Sequence, residues 1–180
     1  IDTPELLQNL DSANPWLRYQ VKRECTSRNP EHVVSALEEV LQATNKTSDT
    51  YEHLLFEMLG IYETLEVVNE PLLHRCLNSG DERLRAYAAR VVGRWHDRID
   101  DPLSLLSDRV IDSDALVRME AVAACAAIPY PESITVAVRA IDLNVDYDID
   151  YVLKQAAHHL QHHWLPTFKE GRLRFQKPHH

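Results

Sequence analysis

The sequence predicts an all-α fold, an α-α solenoid of about five stacked helix hairpins, and three observations predict it. Four glycines stand against nine prolines, most of them after Asn, Asp, Glu or Tyr, which is how helix starts are punctuated rather than how strands are turned. The apolar residues recur at helical rather than alternating spacing. One phrase also returns along the chain: "DSANPWLRYQVKREC" from Asp11, "SGDERLRAYAARVVG" from Ser79 and "DSDALVRMEAVAACAA" from Asp112. Each copy is a polar turn followed by an aliphatic-arginine pair: Leu17-Arg18, Leu84-Arg85 and Val117-Arg118. Arg85 and Arg118 are 33 residues apart and Arg18 and Arg85 are 67 apart, which is about two such periods and hides one degenerate copy.

Taken in order, the first hairpin reads as a helix from Pro4 to Leu10 and a second opened by Asn14-Pro15, with a side-chain acceptor at the cap and a proline where no N–H is needed. Asn29-Pro30 opens the next helix, to Leu41, and "DTYEHLLFEMLG" is its degenerate partner, with His53 in the arginine position. Pro71 to Leu77 precedes Gly80-Asp81, which closes one helix and opens the next. There Leu84, Ala88, Val91 and Val92 form an apolar stripe, repeated by Val117, Ala121, Ala124, Cys125 and Ile128 one hairpin later, after the helix from Asp101-Pro102 to Val110. Alanines such as Ala88, Ala89, Ala121 and Ala124 allow close helix approach. Gly60 and Gly93, seven and eight residues after the arginine position, read as loosening the ends of their helices. The fifth hairpin is Pro131 to Ile141 with "DYDIDYVLKQAAHHL", where Asp150 takes the arginine position. Pro166 and Gly171 predict that the chain leaves helical geometry from Leu165. The expected division is a repeat domain over 1–164 and a capping or linker segment over 165–180. A lone hairpin of this length cannot bury its own apolar face, so the copies must stack.

A formal charge of -9 and the lack of a dense Lys/Arg stripe argue against nucleic acid as partner. No apolar run approaches the ~18 residues of a membrane-spanning helix, so membrane insertion is not expected. Cys25, Cys76 and Cys125 are odd in number and widely spaced, which fits neither a disulfide framework nor a zinc ribbon. Cys25 and Cys125 each lie seven residues after an arginine of the repeat, a shared register that means core packing. The chain begins at Ile1 without a Met and reads as a piece of something longer.

These phrases resemble the second helix of a HEAT repeat: a turn Asp, an aliphatic-Arg pair, then spaced alanines. The resemblance implies a ladder of hydrogen bonds between neighbouring repeats, with Asp81, Arg85, Asp114 and Arg118 in the matching roles. A narrower likeness runs through "NPWLRYQVKRECTSR", "LNSGDERLRAYAARVV" and "DYDIDYVLKQAAHHLQHHWLPTFKEGRLRF". This order is similar to the HEAT segment of planctomycete-type multidomain haem-binding proteins, in which a sugar-dehydrogenase-like β-propeller precedes the repeats and a c-type cytochrome domain follows. The resemblance implies an exported or periplasmic protein and a connecting role; neither the propeller nor a C-x-x-C-H haem motif lies within this chain.

The histidines raise the main alternative, a metal- or cofactor-binding enzyme domain. His158 and His162, and His159 and His163, stand at i,i+4, a spacing that presents two imidazoles on one helix face. No H-E-x-x-H arrangement supplies a base, and the reversed dipeptides Glu31-His32 and Glu52-His53 do not reproduce the paired His-Glu of HEAT-like di-iron hydroxylases. The phosphate-binding face of a HEAT-like DNA glycosylase would need cations that this acidic chain lacks. Asp146-Tyr-Asp-Ile-Asp150 alternates acids as a calcium loop does but lacks its Gly and closing Glu, and reads as the cap and first turn of a helix. Trp16, Trp95 and Trp164 fit either core positions or exposed contacts. The expectation is therefore a non-catalytic scaffold or interaction module, with no catalytic, cofactor-binding or metal residue, whose partner is a protein or the neighbouring domains of its own chain.

Overall fold

The computed structural model describes residues 2–180; Ile1, the first residue of the expected repeat domain, lies outside the described residues. Among these the secondary structure is helical, without strand. The helices are α1 (Thr3–Leu7), α2 (Pro15–Thr26), α3 (Pro30–Ala43), α4 (Tyr51–Thr64), α5 (Glu70–Leu77) and α6 (Glu82–Trp95). They continue with α7 (Pro102–Ser107), α8 (Ala115–Ala127), α9 (Ser133–Ala137), α10 (Tyr147–His159) and α11 (Gln161–Lys169). Short 3₁₀ turns extend α1 over Gln8–Asp11 and α9 over Val138–Asp142. The elements thus alternate between a first and a second helix of each hairpin, as the sequence predicts for an α-α solenoid.

The starts follow from the caps. Asn14 accepts from the Trp16 N–H, Asn29 from those of Glu31 and His32, Asp81 from Arg83 and Leu84, and Asp114 from Leu116 and Val117. Each satisfies donors that the first helical turn leaves without an internal partner. The residue two before the caps of α2, α4, α6 and α8, which are Asn14, Thr50, Asp81 and Asp114, repeats as well. The cap N–H bonds Ser12 Oγ at 3.2 Å, Ser48 Oγ at 3.3 Å, Ser79 Oγ at 2.9 Å and Asp112 Oδ1 at 3.0 Å. The turn is therefore built four times from one local rule, a short side-chain acceptor two residues ahead of the cap.

The chain divides into two compact units, Ile1–Leu72 and Leu73–His180. In the first, α1 packs on α3 while α2 lies against α4 and the 3₁₀ turn after α1. Leu7, Leu10, Val21, Leu37, Met58 and Leu59 are fully buried there. In the second, α6, α8 and α10 lie side by side in one layer, and α7 and α9 pair in the other. The two predicted stripes are its core: Leu84, Ala88, Val91 and Val92, and Val117, Ala121, Ala124, Cys125 and Ile128, are all buried.

The ends of α4, α6 and α11 differ from the sequence reading. Gly60 and Gly93 do not loosen helix termini; both lie within their helices, α4 and α6. The end of α4 is instead a turn at Glu66, whose φ of 57° is left-handed. The Glu66 and Val67 N–H groups bond the Glu63 and Tyr62 carbonyls, the pairing of a Schellman cap. That conformation suits glycine, and a side chain costs free energy in it. Glu66→Gly is accordingly expected to raise stability by up to about 1 kcal/mol, read as a shift of the urea midpoint at unchanged slope. The chain also does not leave helical geometry at Leu165, because α11 continues through Pro166 to Lys169. Proline forfeits one intrahelical bond there, and the helix closes five residues later in a second Schellman cap at Gly171, with φ 71°. The Gly171 and Arg172 N–H groups bond the Phe168 and Thr167 carbonyls.

Candidate functional site

The recurring arginines sit four residues after each cap and fold back over their own turn. Nη1 of Arg18 donates to the Ser12 carbonyl at 2.6 Å, that of Arg85 to Ser79 at 3.0 Å and that of Arg118 to Asp112 at 2.9 Å. The rest of each guanidinium reaches onward along the chain. Arg85 makes a forked pair with Asp112, Nε to Oδ2 and Nη2 to Oδ1, both at 2.9 Å. Arg118 Nη2 donates to the Asn144 carbonyl at 2.9 Å. Arg18 Nε bonds Glu57 on α4 at 2.9 Å, and Lys22 Nζ lies 2.6 Å from the other oxygen of that buried carboxylate. Charge-assisted, bidentate bonds of this type are the strong ones.

This is a ladder, but not with the carboxylates the sequence reading assigned. Asp81 and Asp114 do not receive the arginines; each turns its Oδ1 to the first N–H groups of its own helix as a cap. Asp112, two residues before the cap, takes Arg85 and also lies 3.5 Å from Arg109 Nη1. Burial alone would raise the Asp112 carboxyl. The Arg85 hydrogen bond, the Asp114 N–H and the charges of Arg85 and Arg109 outweigh burial and hold it below the ordinary carboxylate range. Nor does His53 stand in the arginine position. Counting four from the Thr50 cap gives Leu54, which is buried, while His53 Nε2 lies 3.5 Å from Glu57. Asp150 does occupy the fifth copy's arginine position, four after Asp146, and pairs outward with Lys154 at 2.6 Å. A parallel set ties the first helices: Arg109 donates to the Leu77 carbonyl at 2.6 Å, and Arg139 to Ser107 Oγ.

The four histidines of the His158–His163 stretch are not on one helix. α10 ends at His159, and α11 begins at Gln161 after Leu160, so both i,i+4 pairs straddle the junction. The His162 and His163 rings lie close, with centroids 3.9 Å apart and planes tilted by 43°. Among the described residues, three ligand-capable side chains come together elsewhere, at Asp142, His179 and His180. Asp142 Oδ1 meets the two imidazoles at 3.0 and 3.1 Å, and Oδ2 meets Lys177 Nζ at 2.6 Å. The Lys177 and His179 bonds hold the Asp142 carboxyl far below its usual value. The arrangement clasps residues 177–180 to the end of the 3₁₀ turn after α9.

The remaining reactive groups are committed to structure. Burial pushes the Cys25 thiol up to about 11 and the Cys125 thiol up to about 12, so neither supplies a thiolate near neutral pH. Asp146 accepts from the Ile149 N–H as the cap of α10. The tryptophans divide: Trp95 is fully buried, Trp164 is half-buried with Nε1 bonded to the Ala157 carbonyl, and Trp16 is 66% exposed and stacks on Tyr19.

A family model for HEAT repeats matches residues 69–160, just over half of the chain. The chain belongs to the HEAT-repeat family. The match spans α6, α8 and the Arg85–Asp112 pair, so the best-formed rung of the ladder lies within the part that defines the family. No curated protein matches the sequence. HEAT repeats form helical scaffolds and interaction modules, and no helix among the described residues is long and apolar enough to cross a membrane.

Sequence reasoning missed Asp112 and Glu57 as arginine partners. A signal for the first was present: Ser12, Ser48, Ser79, Asp112 and Asn144 recur two residues before each cap, and only one of them carries a charge. Glu57 carried no such signal, because the corresponding positions of α6 and α8 are Ala88 and Ala121.

Proposed function

We propose that this HEAT-repeat segment is a non-catalytic scaffold that positions neighbouring domains of its own chain or a protein partner. The observation that carries the reading is the division of labour among its side chains. Arginines, acids and thiols that could do chemistry are bound into turns and core, while large aromatic groups, Trp16, Tyr19, Tyr147 and Tyr151, stand exposed. Exposed aromatics contribute most where a partner covers them. The sequence likeness supports a narrower role, a connector between a sugar-dehydrogenase-like propeller and a c-type cytochrome domain. The reading frame on either side of the chain tests that role. A propeller upstream and a C-x-x-C-H downstream are expected, and titration calorimetry should detect either neighbour, produced separately, binding the chain. Flanks of unrelated type, or neighbours that show no affinity, would remove it.

We propose further that the repeat domain extends over 1–164 and that 165–180 closes its last hairpin. The last helix layer of a solenoid has no following repeat, so an apolar face there needs cover. Leu173 is buried, Trp164 meets Phe168 and Phe175 edge-on at 6.3 and 6.5 Å, and Lys177 holds Asp142. Truncation after His163 is expected to lower the thermal midpoint and promote self-association, measured by calorimetry and light scattering. An equally stable, monomeric product would make the segment a free linker.

A further inference from the structure

Seven consecutive residues, Asp142–Asp148, are exposed where the chain enters α10. Among them Tyr147 is 79% exposed, and Tyr151, one turn on, is 56% exposed. Their rings stack nearly parallel, 17° apart with centroids at 6.4 Å. The pair is not buried by the fold, because Ile149 alone of this turn points into the core. Leu143 and Val145, exposed as well, precede the cap in sequence. The Arg118 bond to the Asn144 carbonyl fastens this segment beside the start of α8.

Charge states what fits there. Asp148 lies between the two tyrosines in sequence and is exposed, and Asp146 and Asp150 flank it. The cation nearest in sequence on the helix, Lys154, is drawn to Asp150. Two parallel phenol faces beside carboxylates suit a flat cation: a guanidinium stacks on an aromatic face and forks onto a carboxylate, which a compact ammonium does less well. The same carboxylates repel a phosphate backbone.

We infer that the Tyr147–Tyr151 ledge at the start of α10 is a docking surface for an extended, arginine-bearing segment of a protein partner. One guanidinium lies on the tyrosine pair and bonds Asp148, while apolar side chains beside it cover Leu143 and Val145. The proposal rests on the reading of the chain as an interaction module and gives that reading a surface and a partner chemistry.

Fluorescence anisotropy with the full chain tests it, using a labelled Gly-Arg-Gly-Arg-Gly-Arg-Gly peptide and its lysine counterpart. The arginine probe is expected to bind about 5-fold tighter than the lysine probe. Tyr147→Ala/Tyr151→Ala, which leaves the charge unchanged, should weaken it about 5- to 10-fold. Asp148→Asn should weaken it several-fold, and the exposed control Asp97→Asn should not. An unchanged thermal midpoint in each variant keeps loss of binding separate from loss of fold. Binding indifferent to the tyrosines, equal loss in Asp97→Asn and Asp148→Asn, or preference for a labelled oligonucleotide would each overturn the proposal. If the probe fails but a flanking domain still binds the chain, the ledge is wrong and the scaffold stands; if both fail, the scaffold reading falls as well.

Discussion

Asp112→Ala is expected to destabilise the second unit by about 3–5 kcal/mol, the cost of breaking a buried ion pair by removing one partner. The Asp112 side chain is 7% exposed and that of Arg85 14%. Truncation leaves a guanidinium facing a cavity with two of its bonds gone. It also removes the acceptor for the Asp114 N–H and the charge beside Arg109, so the turn, the cap of α8 and the tie to the preceding turn weaken together. Asp112→Asn should fall between, since an amide oxygen preserves the turn bond while the charge is lost. Acid should act in the same direction. A carboxyl held below its unfolded value contributes stability above that value and loses it as pH falls through the folded one. The second unit should therefore lose stability below about pH 4, and Asp112→Ala should lose less over the same range. Urea unfolding followed by fluorescence of the buried Trp95 reads both effects; a change no larger than that of exposed Asp97→Ala would contradict them.

Gly93→Val is expected to cost about 3 kcal/mol, at the upper end for overpacking, and Gly93→Ala about 1–3. A Cβ at position 93 would meet Ala124 Cα at 2.9 Å and Cβ at 3.0 Å. The obstacle is backbone, which cannot swing aside as a long side chain can. α6 and α8 would have to part along the interface that carries both apolar stripes. Elsewhere in a helix, alanine improves on glycine by about 1 kcal/mol, so a net loss isolates the packing term. Ala124→Gly should recover only part of it, because the backbone of residue 124 still stands in the way. A Gly93→Ala variant as stable as the parent or more so, by calorimetry, would show that the two helices have room to adjust.

These two residues mark where sequence reading succeeds and stops. The helices, their starts and the apolar stripes are local properties, written in cap residues and in three-and-four spacing, and Asn14, Asn29, Asp81 and Asp101 act as the caps they resemble. The glycine in α6 was visible but its reason was not, since a close approach depends on which residue of the next hairpin lies opposite. The arginine partner failed for a similar cause. A turn with two acids, Asp112 and Asp114, offers two carboxylates two positions apart, and only the geometry shows that Asp114 caps α8 while Asp112 takes the arginine. His158–His163 misled in a third way: i,i+4 spacing has meaning only while one helix continues, and Leu160 ends α10 inside the stretch.

The ladder is the claim on which the architecture and the scaffold reading both depend, and a double-mutant cycle on Arg85 and Asp112 tests it most directly. Unfolding free energies of Arg85→Ala, Asp112→Ala and the double variant are predicted to give a coupling of about 1.5 kcal/mol or more. The parallel cycle of Arg85 with Asp114, the capping acid, should stay within about 0.5 kcal/mol of zero. A coupling near zero for Arg85 with Asp112, or a larger one with Asp114, would contradict the account.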